Sequence, residues 1–454
     1  VPNQLTSYEM NGNVSWFPAM LPALRDPASV RVNSDLLTNL CCQFASIESP
    51  IAAELAPALC EQMLRLQPVA AQSATPPQVS RPNTNTGLRI AWITGDLCPH
   101  PVSRFLLSFL EQASSDPTCR HLVVGLEDHQ DQSLAPKFRA LPGVDLLDLG
   151  TTSKLQHCDR VREHQPHIAI DLSGWTGGNF QPGFLARLAP LQINYLGYFA
   201  STGNPNMDVW LGDGQLFPEP MQEWHSERLH RLERCFIAWQ PSAHFPEATA
   251  AIPEAASAGG IRFGSFNHNR KLSDATLALW AQILRAIPDA QLVLKANHSS
   301  DPGTQTLLRR RLQRQGIDPE RVIWLPIAPS TALHQQQYAH VDVALDCFPN
   351  GGCTTTCEAL WMGVPVITLS GRSYVSRMST AVLHGANLPN WCAASPQDYL
   401  DLAVAQADQL RWLRQNRDHW RRQVQTTPLG DARDLMQHLG RAFWQLAARC
   451  DRFA

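Results

Sequence analysis

From Leu88 onward the chain alternates short apolar runs with polar loops and helical stretches. LRIAWIT (88–94), HLVVGLE (121–127), VDLLDL (144–149), HIAIDL (167–172) and LQINYL (191–196) are predicted as strands. Helical stretches near Ser103–Gln112 and Pro182–Leu188 fall between some of them. A polar, Ala/Pro-rich stretch from Gln240 to Gly260 follows, and then the pattern starts again. Its second half shows IRFGSFN (261–267), a helix from Ser273 to Ile287 stopped by Pro288, QLVLKA (291–296), and a helix ended by Gly316. RVIWLP (321–326), VDVALD (341–346) and VPVITL (364–369) complete it. Strands alternating with helices are the signature of parallel α/β layering.

The expected fold class is therefore α/β, with one domain over 88–240 and a second over 241–454 facing it across a cleft. In open α/β sheets ligands bind beyond the carboxyl ends of the strands, so the loops there are the place to look for chemistry. Leu435, Met436, Leu439, Phe443 and Leu446 space Asp431–Cys450 as an amphipathic helix, which is assigned to the second domain as packing. Ahead of the strands, residues 1–66 carry helical patterning. It is clearest in SPIAAELAPALCEQMLRL, where Ser49 and Pro50 suit the N-cap and first turn. Residues 67–87, rich in Pro, Ser and Thr, read as a linker.

Composition narrows the class. With 454 residues, 44% hydrophobic and 17% charged, the chain is large enough for two or three compact units. Its longest apolar runs stay well short of the ~18 residues of a membrane span. Thirty-seven basic against 40 acidic residues leave no electrostatic footprint for nucleic acid. Twelve cysteines without a C-x-x-C pair read as free thiols in a reducing compartment. The opening VPNQLTSYEM has no basic region leading into an apolar one, so a cytoplasmic location is expected.

The most informative stretch is NGGCTTTCEALWMGVPVITL, Asn350–Leu369. Glycines after a strand let the backbone approach a ligand closely, and the amides of Thr354, Thr355 and Thr356 would open a helix as an anion site. A diphosphate fits such a site. Glu358, one turn below Thr354, suits the neutral donors of a ribose diol. The alternative is an ordinary cap with an acidic first turn, stabilising by roughly ~1 kcal/mol.

That stretch, with GRSYVSRMSTAVL after it, resembles the nucleotide-sugar signature of protein O-GlcNAc transferases and their bacterial relatives, a two-Rossmann family of the glycosyltransferase B fold. LRIAWITGDLCPHPVSRF resembles the family's first strand and Asp-x-x-x-His-Pro loop. HIAIDLSGWTGGNFQPGFLARLAPLQINYLGYFASTG, FGSFNHNRKLS and IAPSTALHQQQYAHVDVALD resemble three further family segments in the right order. The resemblance covers most of residues 88–450.

What it implies is an inverting transfer of GlcNAc or glucose from a UDP-sugar to Ser/Thr hydroxyls of a protein or peptide. It places Gly352, Cys353, Thr354 and Thr355 at the diphosphate, Lys271 on the leaving group and Glu358 near the ribose. Ala328, His334 and Gln337 fall on the uridine side, with Gln337 where relatives carry an arginine. His100 matches a proposed base or acceptor-positioning histidine, and His167 another histidine facing the cleft. Cys353 stands where the family has a histidine, which puts the donor sugar in doubt. An asparagine N-glucosyltransferase, a small-molecule glycosyltransferase, a sugar-nucleotide epimerase and a non-catalytic UDP-sugar sensor are the rival readings. A dinucleotide dehydrogenase is disfavoured, because no G-x-G-x-x-G follows LRIAWIT. No cofactor and no metal are expected, since the UDP-sugar is a substrate and a lysine with helix amides meets the diphosphate charge. The acidic cluster Glu127, Asp128, Asp131 reads as a solvated loop.

Overall fold

The computed structural model describes residues 77–454 except 84, 114–115, 127–133, 151–153, 242–258 and 296–301, together with residues 56, 57, 60, 61 and 63–65 before them. Most of the expected helical region 1–66, residues 67–76 of the linker, most of the Gln240–Gly260 stretch and the acidic cluster Glu127, Asp128, Asp131 lie outside the described residues. The chain divides into two compact units. One includes Ser49–Gln240 together with Asp431–Ala454, and the other Pro241–Gly430.

The amino-terminal unit is built on seven strands: β1 (Leu88–Thr94), β2 (Cys119–Gly125), β3 (Val144–Asp148), β4 (Ile168–Asp171), β5 (Leu191–Tyr195), β6 (Val209–Asp213) and β7 (Arg228–Leu232). All are parallel, in the order β3-β2-β1-β4-β5-β6-β7. Helices α1 (Pro101–Leu110), α2 (Ala135–Arg139), α3 (Lys154–Glu163) and α4 (Gln181–Leu185) lie in the first four crossovers. Strands β6 and β7 form where the apolar pattern predicts none. The central strands are apolar runs because both sheet faces are covered, which leaves no solvent face to be polar: every residue of β4, β5 and β6 is buried.

The carboxy-terminal unit repeats the plan. It runs β8 (Arg262–Ser265), α5 (Asp274–Ala286), β9 (Gln291–Leu294), α6 (Pro302–Arg314), β10 (Val322–Trp324), α7 (Thr331–Gln336), β11 (Val343–Leu345), α8 (Thr354–Trp361), β12 (Val366–Leu369), α9 (Met378–Gly385) and β13 (Cys392–Ala393). Helices α10 (Pro396–Ala407), α11 (Leu410–Gln415) and α12 (Arg417–Gln425) follow. The strands are parallel in the order β10-β9-β8-β11-β12-β13. Among the described residues no helix is long and apolar enough to cross a membrane.

One boundary differs from the expected 241–454 domain. The terminal helix α13 (Ala432–Ala448) belongs with the amino-terminal unit. Its cap Asp431 accepts from the Asp434 amide at 2.9 Å, and its stripe Leu435, Met436, Leu439, Phe443 and Leu446 is buried as the periodicity predicts. Phe443 meets Trp92 of β1 edge-on at 5.7 Å between ring centroids, and Trp92 also touches Phe109 at 5.3 Å and Tyr195 at 6.5 Å. An amphipathic stripe announces that a helix is buried, and only the partner's shape decides where.

Candidate active site

In each sheet the first strand of the unit sits beside the fourth, and the crossovers leave to opposite sides there. A crevice therefore opens beyond the carboxyl ends of β1 and β4, and another beyond β8 and β11.

The crevice at β8 and β11 collects most of the residues expected from sequence. Asp346, buried directly after β11, organises it. Its Oδ1 accepts from the Gly352 amide at 2.7 Å, the Cys347 amide at 3.0 Å and Asn267 Nδ2 at 3.2 Å, while Oδ2 accepts from Thr368 Oγ1 at 2.8 Å. The loop Cys347–Gly352 is thereby wrapped around one carboxylate. Gly352 tolerates no side chain: a Cβ there would lie 2.5 Å from Thr355 Oγ1 and 2.8 Å from Thr356 Oγ1.

Lys271 reaches the same loop from the β8 side. It ends the 3-10 turn Asn269–Lys271, whose cap His268 accepts from the Arg270 amide at 3.2 Å. The ammonium Nζ donates to the Gly351 carbonyl at 2.7 Å. Burial pushes its pKa below the usual lysine value, and the nearby Asp346 carboxylate opposes that shift. A cation held in this way has been stripped of much of its water, so it interacts strongly with any anion that arrives.

Helix α8 opens directly after the loop. Its first ladder bonds run from the Thr356 and Cys357 amides to the Cys353 carbonyl, both at 3.1 Å. The Thr354 and Thr355 amides precede that ladder and point out of the N-terminus, as a phosphate requires. Thr355 Oγ1 donates to Asn267 Oδ1 at 3.1 Å, and Thr356 Oγ1 pairs with Ser379 Oγ at 2.7 Å, so both hydroxyls pin the helix start. The simple capping alternative does not hold. Cys353 makes no side-chain cap bond, and the first turn has no acidic residue.

Glu358 instead turns toward α7. Its Oε2 lies 3.3 Å from His334 Nε2, with the carboxylate almost buried and the imidazole about a quarter exposed. His334 stands edge-on to Tyr338 at 6.0 Å and to Phe266 at 5.9 Å. Gln337 donates from Nε2 to the Pro326 carbonyl at 3.0 Å, and its buried Oε1 has no hydrogen-bond partner among the described residues. Ala328 is half-buried in the loop ahead of α7. Lys271, Gly352, Cys353, Thr354, Thr355, Glu358 and His334 thus belong to one crevice. No local motif marks Asp346, Asn267 and Lys295, whose side chains hold this arrangement in place. A carboxylate at the end of a strand that runs into a glycine loop was the available signal for Asp346.

His100 and His167 lie in the other unit, and the structure separates them. His100 caps α1 at the crevice of β1 and β4. Its Nδ1 accepts weakly from the Val102 amide at 3.4 Å and lies 3.5 Å from Asp96 Oδ2, with the side chain nearly half exposed. The loop around it is braced by the Gly95 amide, which donates to Ser173 Oγ at 3.1 Å. Asp171, at the end of β4, accepts from the Ser173 amide at 2.9 Å, the Gly174 amide at 3.0 Å and Gln181 Nε2 at 2.6 Å. Burial pushes its pKa up to about 6 against the pull of those donors.

His167 corrects the sequence expectation. It precedes β4, at the amino edge of the sheet and opposite the crevice, and it is buried. Its Nδ1 accepts from the Arg89 amide at 2.8 Å, and its ring packs 5.9 Å from Phe453. A catalytic role is withdrawn, since a ring committed to a strand edge cannot reach a reacting group. His121 is likewise buried, its Nδ1 accepting from Trp92 Nε1 at 3.1 Å. Burial pushes both imidazoles down to about 4; Arg89 adds to this at His167, whereas Asp116 opposes it at His121.

Both rings stay neutral in the fold while the unfolded chain takes up protons from about pH 6.5 downward. Their contribution to stability is therefore complete above that pH and is lost as the pH falls toward 4. By pH 5 each ring costs about 2 kcal/mol. Chemical denaturation at pH 7 and pH 5 should show the loss, and His167→Gln should make the difference between the two pH values smaller than in the parent chain. An unchanged difference in that variant would reject the assignment.

The chain was compared with known proteins. The family model described as glycosyl transferase family 41 matches residues 46–253 and 251–439. A probable UDP-N-acetylglucosamine–peptide N-acetylglucosaminyltransferase SPINDLY of Oryza sativa subsp. japonica is 31% identical over 396 residues, covering 86% of this chain and 42% of that protein. A protein of the same description from Solanum lycopersicum is 30% identical over 365 residues, covering 79% of this chain and 39% of that protein. The chain thus spans about two fifths of the length of these relatives. Among solved structures, a mutant O-GlcNAc transferase of Thermobaculum terrenum superposes with a TM-score of 0.83 at 30% identity, covering 98% of this chain and 84% of that one.

Proposed function

The chain belongs to glycosyl transferase family 41, and from that premise we propose that it transfers GlcNAc or glucose from a UDP-sugar to Ser/Thr hydroxyls of a protein or peptide. The observation that carries this reading is the crevice of the carboxy-terminal sheet. There a desolvated lysine and the open amides of a helix start share one glycine loop. Few ligands other than a diphosphate need both.

In this reading the Thr354 and Thr355 amides and Lys271 receive the diphosphate, and Glu358 takes the ribose diol. His334, Gln337 and Ala328 face the base. The acceptor oxygen attacks the anomeric carbon as the bond from that carbon to the phosphate oxygen breaks. Its electron pair leaves with UDP, and the configuration inverts. Lys271 and the helix amides are oriented before reaction, so they stabilise the departing charge without rearrangement. The hydroxyl proton has two candidate acceptors, the donor's own phosphate and His100, whose Nδ1 lies 3.5 Å from Asp96 Oδ2. No metal is required, because a lysine and a helix N-terminus supply the charge that Mg or Mn would bring.

The test is UDP release from UDP-GlcNAc and UDP-glucose, with and without a peptide pool, in excess EDTA. The expected result is peptide-dependent release that survives EDTA and leaves the sugar on Ser or Thr by mass spectrometry. Sugar on asparagine would replace the acceptor, and turnover without peptide would favour an epimerase. UDP binding without any turnover would favour a sensor. Loss with EDTA, restored by Mg or Mn, would remove the lysine-and-amide mechanism.

A further inference from the structure

Lys295 belongs to none of the motifs that point to the crevice, yet it ends against the nucleoside-side residues. It follows β9, its amide donates to the Ser265 carbonyl at 3.1 Å, and the residue is buried. Its Nζ contacts His334 Nδ1 and lies 5.5 Å from the centre of the Phe266 ring.

The direction of these hydrogen bonds follows from chemistry. A lysine ammonium has donors only, so Nδ1 of His334 must accept. A neutral imidazole that accepts at Nδ1 carries its proton on Nε2, and Nε2 lies 3.3 Å from Glu358 Oε2, which accepts in turn. Lys295, His334 and Glu358 form a line in which each group fixes the next. Phe266 and Tyr338 hold the plane of the ring from its edges.

We propose that Lys295 is a positioning residue of the nucleoside subsite, holding His334 in its Nε2–H tautomer so that the imidazole keeps the Glu358 carboxylate aimed at the ribose of a nucleoside diphosphate. This rests on the nucleotide reading above for its ligand, but the tautomer is a property of the ligand-free chain. The line has a further requirement, a charged lysine at neutral pH. Burial pushes the Lys295 pKa down to about 8 and Glu358 opposes the fall, so the ammonium persists there.

The experiment compares the full chain with Lys295→Met, which keeps the apolar stem and removes the donor, and with Lys295→Arg, which keeps a donor. Long-range proton–nitrogen NMR on histidine-labelled protein reads the tautomer, and loss of the signal in His334→Gln assigns it. Calorimetry with UDP reads affinity. The wild-type chain and Lys295→Arg should show the Nε2–H form. Lys295→Met should show Nδ1–H or a mixture, with UDP bound about tenfold more weakly. A structural lysine would leave the tautomer unchanged in the Met variant, and that result overturns the proposal. A changed tautomer with unchanged UDP affinity also overturns it. Absence of UDP binding by the wild-type chain would overturn the nucleotide reading instead, and the tautomer comparison would still decide whether Lys295 sets the imidazole. If Lys295→Met does not fold, Lys295→Arg decides alone, since an altered tautomer there overturns the proposal.

Discussion

Lys271→Ala is expected to lower turnover by about two to three orders of magnitude while UDP still binds. The ammonium is held by the Gly351 carbonyl at 2.7 Å in surroundings that remove much of its water. Its interaction with the diphosphate strengthens as the sugar bond breaks and charge gathers on the leaving oxygen. Interactions that grow toward the transition state appear in kcat, whereas those made equally to the ground state appear in KM. The Thr354 and Thr355 amides remain in the variant and should keep UDP affinity within about tenfold. Lys271→Arg should fail to rescue, because a planar fork cannot replace a compact ammonium. Near wild-type turnover in the alanine variant would make Lys271 a loop brace and no more.

The second large effect is expected at Asp346. Truncation to alanine leaves the Gly352 and Cys347 amides, Asn267 Nδ2 and Thr368 Oγ1 without their shared acceptor. Removing one member of a buried polar cluster costs roughly 3–5 kcal/mol, because the remaining groups are neither solvated nor paired. The glycine loop should lose its wrapped form, and UDP binding should disappear with it. Asp346→Asn retains an acceptor toward the loop and meets Thr368 through a hydroxyl able to rotate. It should cost on the order of 1 kcal/mol and keep measurable affinity. Denaturation curves of the two variants beside the parent separate these outcomes. Equal stability of the alanine and asparagine forms would show that the carboxylate does not organise the loop.

Much of this architecture could be read in advance, for physical reasons. Strands such as β1 and β4 are buried on both faces, so their apolar runs stand out from their surroundings. Strand β7 could not be read in this way. It lies at the sheet edge with Arg228 exposed and Leu229, His230 and Arg231 half-buried, and such a segment resembles a loop. Strand β6 is fully buried, but Gly212 and Asp213 close its apolar run like a turn.

The site shows the same division. The helix start at Thr354 and Thr355 was legible because its donors are backbone groups announced by glycines. Asp346, Asn267 and Lys295 act on residues distant in sequence, and no local spacing records that. His167 illustrates the converse: its resemblance to a family histidine was clear, but the register Ile168↔Leu191 and Ile90↔Ile168 puts it at the amino edge of the sheet.

The return of α13 to the amino-terminal unit has a consequence for biosynthesis. Phe443, one of the rings packed on Trp92, is made about 350 residues after it, an interval on the order of 20–70 s at roughly 5–20 residues per second. Throughout that interval the intervening carboxy-terminal unit has every segment it needs to close, while the unit begun first still waits for its last helix. Maturation is therefore out of order with translation. Until Phe443 is made, the face of Trp92 that it packs against has no α13 side chain to cover it.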